Sequence, residues 1–182
     1  MLARREPVTL RGLVAGTGAS TMAVYTHFDG MPGLWRAVRQ EGFTRLAAEL
    51  ASVRTTSDPV CDLMAYGAAY MRNALAHPHL YRVMFEAGFD LEDPAVADEN
   101  FAVLVSCATR AKESGRFAGD VEPHALAVRF WAFGHGLAML VVTGVLPPAA
   151  LEDHVTPVAT ALFVAAGDEP TRCRRSVRAG WG

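Results

Sequence analysis

The side chains best suited to bind another molecule lie close together near the amino terminus. Ser20, Thr21 and Met22 directly follow the Gly18-Ala19 pair, which is a turn signal. Small hydroxyl groups bind phosphate oxygens and base edges, and a flexible methionine contacts the methyl group of thymine. One helical turn later, hydroxyl and imidazole groups can reach the backbone oxygens of a nucleic acid; they belong to Tyr25, Thr26 and His27. These residues together predict contact with DNA.

Two short helices are predicted to position this cluster. Thr9 can cap a helix over residues 10–17, and Ser20 can cap a second helix over residues 21–28. Two helices of this length, joined by a glycine-containing turn, have the dimensions of a helix-turn-helix, whose second helix enters the major groove. The alternative is an ordinary pair of short core helices, in which each of these residues, taken singly, would also be expected. The apolar residues expected to hold the pair together are Leu10, Leu13, Val24 and Phe28.

The rest of the chain predicts an all-α fold, with the helix-turn-helix head followed by a helical ligand-binding and dimerisation domain. A third helix is predicted over residues 32–53, and a linker is predicted over residues 55–59. Five more helices are predicted over residues 60–76, 79–87, 94–114, 123–143 and 151–166, with proline and glycine at their joints. The predicted units are a head over residues 1–54, a body over residues 59–167, and a basic, disordered tail over residues 168–182.

Composition and charge favour a folded protein with a basic head. The chain has 182 residues, of which 51% are hydrophobic and 20% charged, so it is not a disordered tail. Residues 1–54 contain seven arginines and four acidic residues, whereas the whole chain has a net charge of −2. A basic head on an acidic body fits local DNA binding better than a general nucleic-acid coat. No unbroken apolar run reaches about 18 residues, and no apolar signal region follows the first arginines, so we expect a cytoplasmic protein without a membrane partner.

Enzyme and metal chemistry find little support in the sequence. Cys61, Cys107 and Cys173 are odd in number and far apart, which predicts neither a disulfide framework nor a zinc site. The His77-Pro78-His79 run has no nearby carboxylate at helical spacing. No nucleophile, base and orienting group can be assembled, and no glycine-rich phosphate loop occurs. We therefore predict no catalytic residue, metal or cofactor, and keep a small α-helical enzyme as the distant alternative.

The ordered run Gly18–Phe28 resembles the signature of the TetR family of transcription regulators. With the leucine at position 34, the similar block covers about a sixth of the chain. The resemblance implies an N-terminal DNA-binding domain and an all-α C-terminal domain that forms a homodimer and binds a small-molecule inducer. It further implies a regulator, by default a repressor, that leaves a palindromic double-stranded operator when the inducer binds. Position by position, the DNA contacts that it implies are Thr9, Arg11, Thr21, Met22, Tyr25, Thr26 and His27.

The chain departs from the family pattern at two places in the head. Met31 stands where the family usually has a lysine that binds phosphate at a helix start. The family also has a helix before the helix-turn-helix, whereas here seven residues precede Val8. This suggests that the natural product is longer at its amino terminus. The corresponding alternative is a dimeric ligand-binding helical protein that has lost DNA binding.

Residues 129–139 resemble the Trp/His/Gly-containing penultimate helix of one TetR subfamily, where the last two helices of each subunit form a four-helix dimer bundle. The dimer contacts that this implies are His135, Gly136, Met139, Val142, Val158 and Leu162. Aromatic and apolar residues of the middle helices predict the wall of a pocket for a lipophilic molecule. Packing in an ordinary core is the alternative for each of them. The predicted wall consists of Tyr66, Tyr70, Met84, Phe85, Phe101, Leu104 and Trp131, together with Phe89 and Val105.

Overall fold

A computed structural model describes residues 9–85 and 91–182 of the chain. Every regular element in these two ranges is a helix, which confirms the predicted all-α fold. The helices are α1 (Leu10–Val14), α2 (Thr21–Phe28), α3 (Met31–Ala51), α4 (Pro59–Ala76), α5 (Pro78–Met84), α6 (Ala95–Glu113), α7 (Pro123–Val142), α8 (Ala150–Ala165) and α9 (Pro170–Trp181).

The head begins with the two capped helices that the sequence predicts. The Thr9 hydroxyl accepts a hydrogen bond from the backbone N–H of Gly12 at 3.1 Å, and the Ser20 hydroxyl accepts one from Ala23 at 3.2 Å. Helix α1 is three residues shorter than predicted, because the hydroxyl and the backbone N–H of Thr17 both donate to the Val14 carbonyl and close a turn there. Val24 is buried between the head helices.

Helix α4 lies at the centre of the body, in contact with α3, α5, α6, α7 and α9. It begins with Pro59, and the Asp58 carboxylate accepts hydrogen bonds from the first free backbone N–H groups, those of Val60 and Cys61. Val60, Leu63 and other residues of this helix are completely buried, because partner helices cover it on several sides. Around α4, helices α6 and α7 pack on each other, and α8 contacts α7 and α9.

Helix α7 is unusually apolar. Among the helices that the structure describes, α7 is the one that is long enough and apolar enough to cross a membrane, by length and composition alone. Its most apolar 18-residue stretch has a mean hydropathy of 1.6, although the helix includes Arg129 and His135. One third of this stretch is buried inside the chain. The helix therefore has apolar residues both on the side that packs on the body and on a side that the chain leaves open.

The prediction of a disordered tail is wrong. Residues 170–181 form α9, which packs along α4. Pro170 occupies the first helical position, and the Glu169 carboxylate caps the helix by accepting hydrogen bonds from Thr171 and Arg172 at 2.7 Å. The number of arginines in this segment hid its buried face, which recurs at helical spacing through Cys173, Val177 and Trp181.

A buried arginine fixes the start of α9 to the start of α4. The Arg116 guanidinium donates to both oxygens of Asp168, at 2.7 and 2.6 Å, and to Asp58 at 2.6 Å. The Ser176 hydroxyl donates to the other oxygen of Asp58 at 2.6 Å and accepts a bond from Arg116 at 3.0 Å. Since Arg116 and Asp168 are both buried, these bonds compensate the two charges for the water that they lose.

The packing of α9 on α4 yields a test of the corrected tail. A Cβ atom at Gly180 would overlap with the Cys61 carbonyl oxygen and crowd Met64, so Gly180→Val must push the helices apart. We expect this variant to lower the free energy of unfolding by about 2 kcal/mol. Ala179→Val, at the exposed neighbouring position, should cost less than about 1 kcal/mol. Urea unfolding followed by circular dichroism measures both values, and equal values would contradict the packed helix.

Candidate functional site

Helix α2 exposes large apolar side chains at the surface of the head. Met22 and Tyr25 are 69% and 55% exposed, so α2 presents two large apolar side chains to the solvent at helical spacing. The other predicted DNA contacts Thr9, Arg11, Ser20, Thr26 and His27 are exposed as well, and Thr21 is half-buried. Three of their hydroxyls already have local partners: Thr9 caps α1, Ser20 caps α2, and Thr26 donates to the Met22 carbonyl at 3.0 Å. Side chains of α2 thus form an open surface on a capped helix.

Helices α2 and α3 are joined by a very short connection and pack closely on each other. Helix α2 ends at Asp29, whose φ of 55° turns the chain, and α3 starts two residues later. Gly33 lies in the first turn of α3, where a Cβ atom would overlap with the Phe28 carbonyl oxygen. The absence of a side chain at Gly33 therefore allows α3 to pack directly on the end of α2.

Further along its length, the same α3 helix lines a partly open cavity. The cavity has a volume of about 340 Å³ and extends between α3, α4, α6 and α7, with single residues from α8 and α9. Helix α3 contributes Phe43, Leu46 and Leu50, which follow one another at helical spacing. The first turn of α3 thus packs on the exposed helix α2, and the later turns of α3 line the cavity.

Six of the predicted wall residues line this cavity: Tyr66, Tyr70, Phe85, Phe101, Leu104 and Trp131. The prediction for Met84 is wrong, because this residue is fully buried against Gly42 of α3. Val105 lies in a separate shallow groove beside His124. Phe89 lies outside the described residues.

Several wall residues were not predicted. They include the α3 residues above, Phe130 and Phe133 of α7, and Trp181 of α9. The helical spacing of the α3 residues was visible in the sequence, but an apolar stripe does not reveal whether it faces packed atoms or a void. Trp181 was missed because residues 168–182 were predicted to be disordered.

The cavity wall is aromatic and almost without charge. Asp98, an exposed residue at the start of α6, is the charged side chain among its lining residues. The amide of Asn100 donates to the Phe43 carbonyl at 3.0 Å, which ties α6 to α3. Within residues 9–85 and 91–182, no three His, Cys, Asp or Glu side chains form a group suited to a metal ion. The surroundings therefore suit an apolar molecule.

Two tyrosines and a histidine form a polar cluster beside the cavity. The hydroxyl oxygens of Tyr70 and Tyr81 are 2.7 Å apart, and His135 Nδ1 lies 3.1 Å from the first and 2.8 Å from the second. Tyr70 lines the cavity, whereas Tyr81 is completely buried behind it. His135 was predicted at the dimer interface, but the structure turns its ring inward, against Tyr81 and Phe85, with ring centroids 5.7 and 4.3 Å away.

Burial determines the protonation of this cluster. It raises the pKa of Tyr70 to about 12, although hydrogen bonds from Tyr81 and Trp131 lower it in part. The pKa of Tyr81 is raised further, by burial and by the adjacent Tyr70. Burial also lowers the pKa of His135, so its imidazole is neutral at pH 7. The cluster therefore offers uncharged hydrogen-bonding groups to the cavity.

An apolar face of α7 and α8 is left uncovered by the residues that the structure describes. Along α7, Val128, Ala132, Gly136 and Leu140 are exposed at every fourth position, so they lie on one side of the helix. From α8, Val158 is 39% exposed. Of the other predicted dimer contacts, Met139, Val142 and Leu162 are half-buried at the edge of this face. We call these exposed α7 and α8 residues the open face.

Comparisons with known proteins assign the family. Residues 63–179, well over half of the chain, match the sequence profile of the tetracyclin repressor-like C-terminal domain. The chain therefore belongs to the TetR family of transcription regulators. No curated protein matches it in sequence.

Two solved structures are similar over nearly the whole chain. The first is a protein with unknown function from Rhodococcus sp. RHA1, with 25% identity and a TM-score of 0.73, covering 92% of this chain and 93% of that one. The second is RolR without ligand, with 16% identity and a TM-score of 0.57, covering 94% of this chain and 86% of that one. The second likeness concerns the fold alone. Both include most of the described head as well as the body.

The buried tyrosines predict a specific dependence of stability on pH. The folded protein keeps both phenolic protons above pH 10, whereas the unfolded chain releases them there, so their contribution is complete below pH 10 and is lost as pH rises. Between about pH 10 and 12, the free energy of unfolding should fall on average about 2 kcal/mol per pH unit more steeply in the wild type than in Tyr70→Phe/Tyr81→Phe. Urea unfolding at several pH values measures this, and parallel profiles would contradict the buried cluster.

Proposed function

We propose that this protein is a dimeric transcription regulator that binds a palindromic DNA operator through α2 and leaves it when a small molecule enters the cavity. The observation that supports this most strongly is the course of α3. One unbroken helix packs on the DNA-facing helix through Gly33 and walls the cavity through Phe43, Leu46 and Leu50. A ligand that displaces α3 therefore displaces α2. Such a protein acts in the cytoplasm and needs no catalytic chemistry.

In the bound state, the two α2 helices of a dimer would lie in successive major grooves, about 34–36 Å apart. Met22 and Tyr25 are the large exposed apolar side chains of α2 and would touch bases or sugar-phosphate, with Thr21, Thr26, His27 and Arg11 around them. Ser20 and Thr9 hold the helix starts and orient their backbone N–H groups. Repression is the default expectation for such a protein, because a dimer seated on a promoter blocks access to it.

Release follows from a difference in affinity between two states. A ligand that fits the cavity better when α3 has moved favours that state, in which the two α2 helices no longer match the groove spacing. The regulation needs the cavity, α3 and α2 together. Without α3, a ligand could bind in the cavity without any effect on α2. Without the cavity, α2 could bind DNA but would not respond to a ligand.

The open face of α7 and α8 supports the dimer. Small and apolar residues in a row on a helix allow a partner helix to approach closely, and twofold dimers are the commonest oligomers. With His135 turned inward, the contacts that we propose are Gly136, Met139, Val142, Val158 and Leu162, together with the exposed Val128 and Leu140.

The DNA-binding surface can be tested with Tyr25→Ala. This change removes the exposed ring of α2 and should weaken operator binding by about 10-fold or more, without lowering the stability of the body. The test is a fluorescence anisotropy titration with double-stranded DNA from the region flanking its own gene, in excess unrelated DNA. Thr44→Ala, at an exposed position of α3 outside α2, is the matched control and should bind as the wild type does. Binding by Tyr25→Ala at wild-type strength would contradict the placement of α2.

The dimer can be tested with two leucines of equal exposure. Leu140 on the open face is 41% exposed, and Leu75 on α4 is 40% exposed. Leu140→Arg should convert the dimer to a monomer, since a charge in the centre of an apolar interface must lose its water. Leu75→Arg should leave the dimer intact. Sedimentation equilibrium distinguishes the 19.5 kDa chain from a dimer of twice that mass. Dissociation by both substitutions, or by neither, would place the interface elsewhere.

A further inference from the structure

The cavity wall discriminates against charged ligands. Among the lining residues within 9–85 and 91–182 there is no lysine, arginine or histidine, and the carboxylate there, that of Asp98, belongs to an exposed residue. An anion inside would lose its water and meet no positive charge. A cation would gain contact with aromatic rings, but that gain is smaller than the loss of hydration when no buried carboxylate pairs with it. An uncharged molecule is therefore favoured.

The Tyr70–Tyr81–His135 cluster keeps one hydrogen-bonding position open. When His135 Nδ1 accepts from Tyr81 and Tyr70 donates to Tyr81, both hydroxyl hydrogens are used inside the cluster, and the Tyr70 oxygen, which also accepts from Trp131, keeps one lone pair. When Nδ1 carries the hydrogen, one hydroxyl hydrogen remains instead. Tyr70 is the member of the cluster that lines the cavity, so it is the member that a ligand can reach in either case. A ligand hydroxyl can both donate and accept, and it therefore fits both arrangements.

We propose that the ligand is an uncharged, ring-containing molecule with a hydroxyl group, and that the Tyr70 hydroxyl, held by Tyr81 and His135, binds that group. This proposal rests on the proposed function, in which the cavity is the inducer site, and adds the chemical class and the anchoring residue. Tyr70 determines specificity by direct contact. Tyr81 and His135 act through Tyr70 and are positioning residues.

Four compounds of the same shape test the class of ligand. We would measure the binding of 2-naphthalenemethanol, 2-methylnaphthalene, 2-naphthoate and 2-naphthylmethylammonium by isothermal titration calorimetry at pH 7. The alcohol should bind about 10-fold more tightly than the methyl compound, because it completes the cluster. Both ions should bind about 50-fold more weakly than the alcohol. An ion that binds as tightly as the alcohol, or failure of all four to bind, would overturn the proposal.

Two tyrosine variants test whether Tyr70 binds the hydroxyl group of the ligand. Tyr70→Phe keeps the ring but removes the hydroxyl, and should abolish the preference for the alcohol over the methyl compound. Tyr66→Phe removes a hydroxyl that lines the cavity outside the cluster and should keep the preference. The opposite result, loss in Tyr66→Phe and not in Tyr70→Phe, would overturn the assignment of the anchor. If Tyr70→Phe does not fold, the order of the four compounds in the wild type still decides the class of ligand.

Failure of the ligand assignment is distinguishable from failure of the proposed function. The anisotropy titration measures operator binding without any ligand. A protein that binds its operator but prefers an ion would keep the proposed function and contradict the uncharged, hydroxyl-bearing ligand class. A protein that binds the alcohol through Tyr70 but no DNA would keep the ligand class and lose the function.

Discussion

The contact between the first turn of α3 and the end of α2 is the constraint on which the rest of the arrangement depends. At Gly33 the backbones of the two helices come so close that a single methyl group would not fit. The surface of α2 is therefore oriented by α3, and α3 is in turn held in the body by the Phe43–Asn100 hydrogen bond and by Gly42 against Met84. A displacement of α3 inside the body would change the orientation of α2, because the two helices cannot move independently at so close a contact.

The body combines a rigid frame with an incompletely filled interior. Arg116 and its bonds to Asp58, Asp168 and Ser176 fix the ends of four helices at one side of α4. The cavity lies among the aromatic residues along α4, whose side chains can make dispersion contacts with an apolar molecule. A ligand of suitable shape makes those contacts, so binding free energy is available to shift α3.

The sequence predicts most of this fold, because capping residues, prolines and glycines mark the helix ends. Thr9 and Ser20 cap the predicted helices, and α4 and α7 start within a residue of their predicted positions. Six cavity residues were predicted from the apolar and aromatic residues of the middle helices. Three features were missed because they depend on tertiary packing: the helix α9, whose arginines obscure its buried face, the inward turn of His135, and the burial of Met84 against Gly42.

The measurement that tests the central claim most directly is the reciprocal coupling between ligand and operator. If α3 links the cavity to α2, a ligand that weakens operator binding by a given factor must itself bind more weakly to the operator-bound protein by the same factor. Titration of 2-naphthalenemethanol into the free protein and into the protein–operator complex measures this factor from the ligand side. We expect the ligand to bind at least about 5-fold more weakly to the complex. A ligand affinity that does not change when the operator is bound would contradict the coupling through α3.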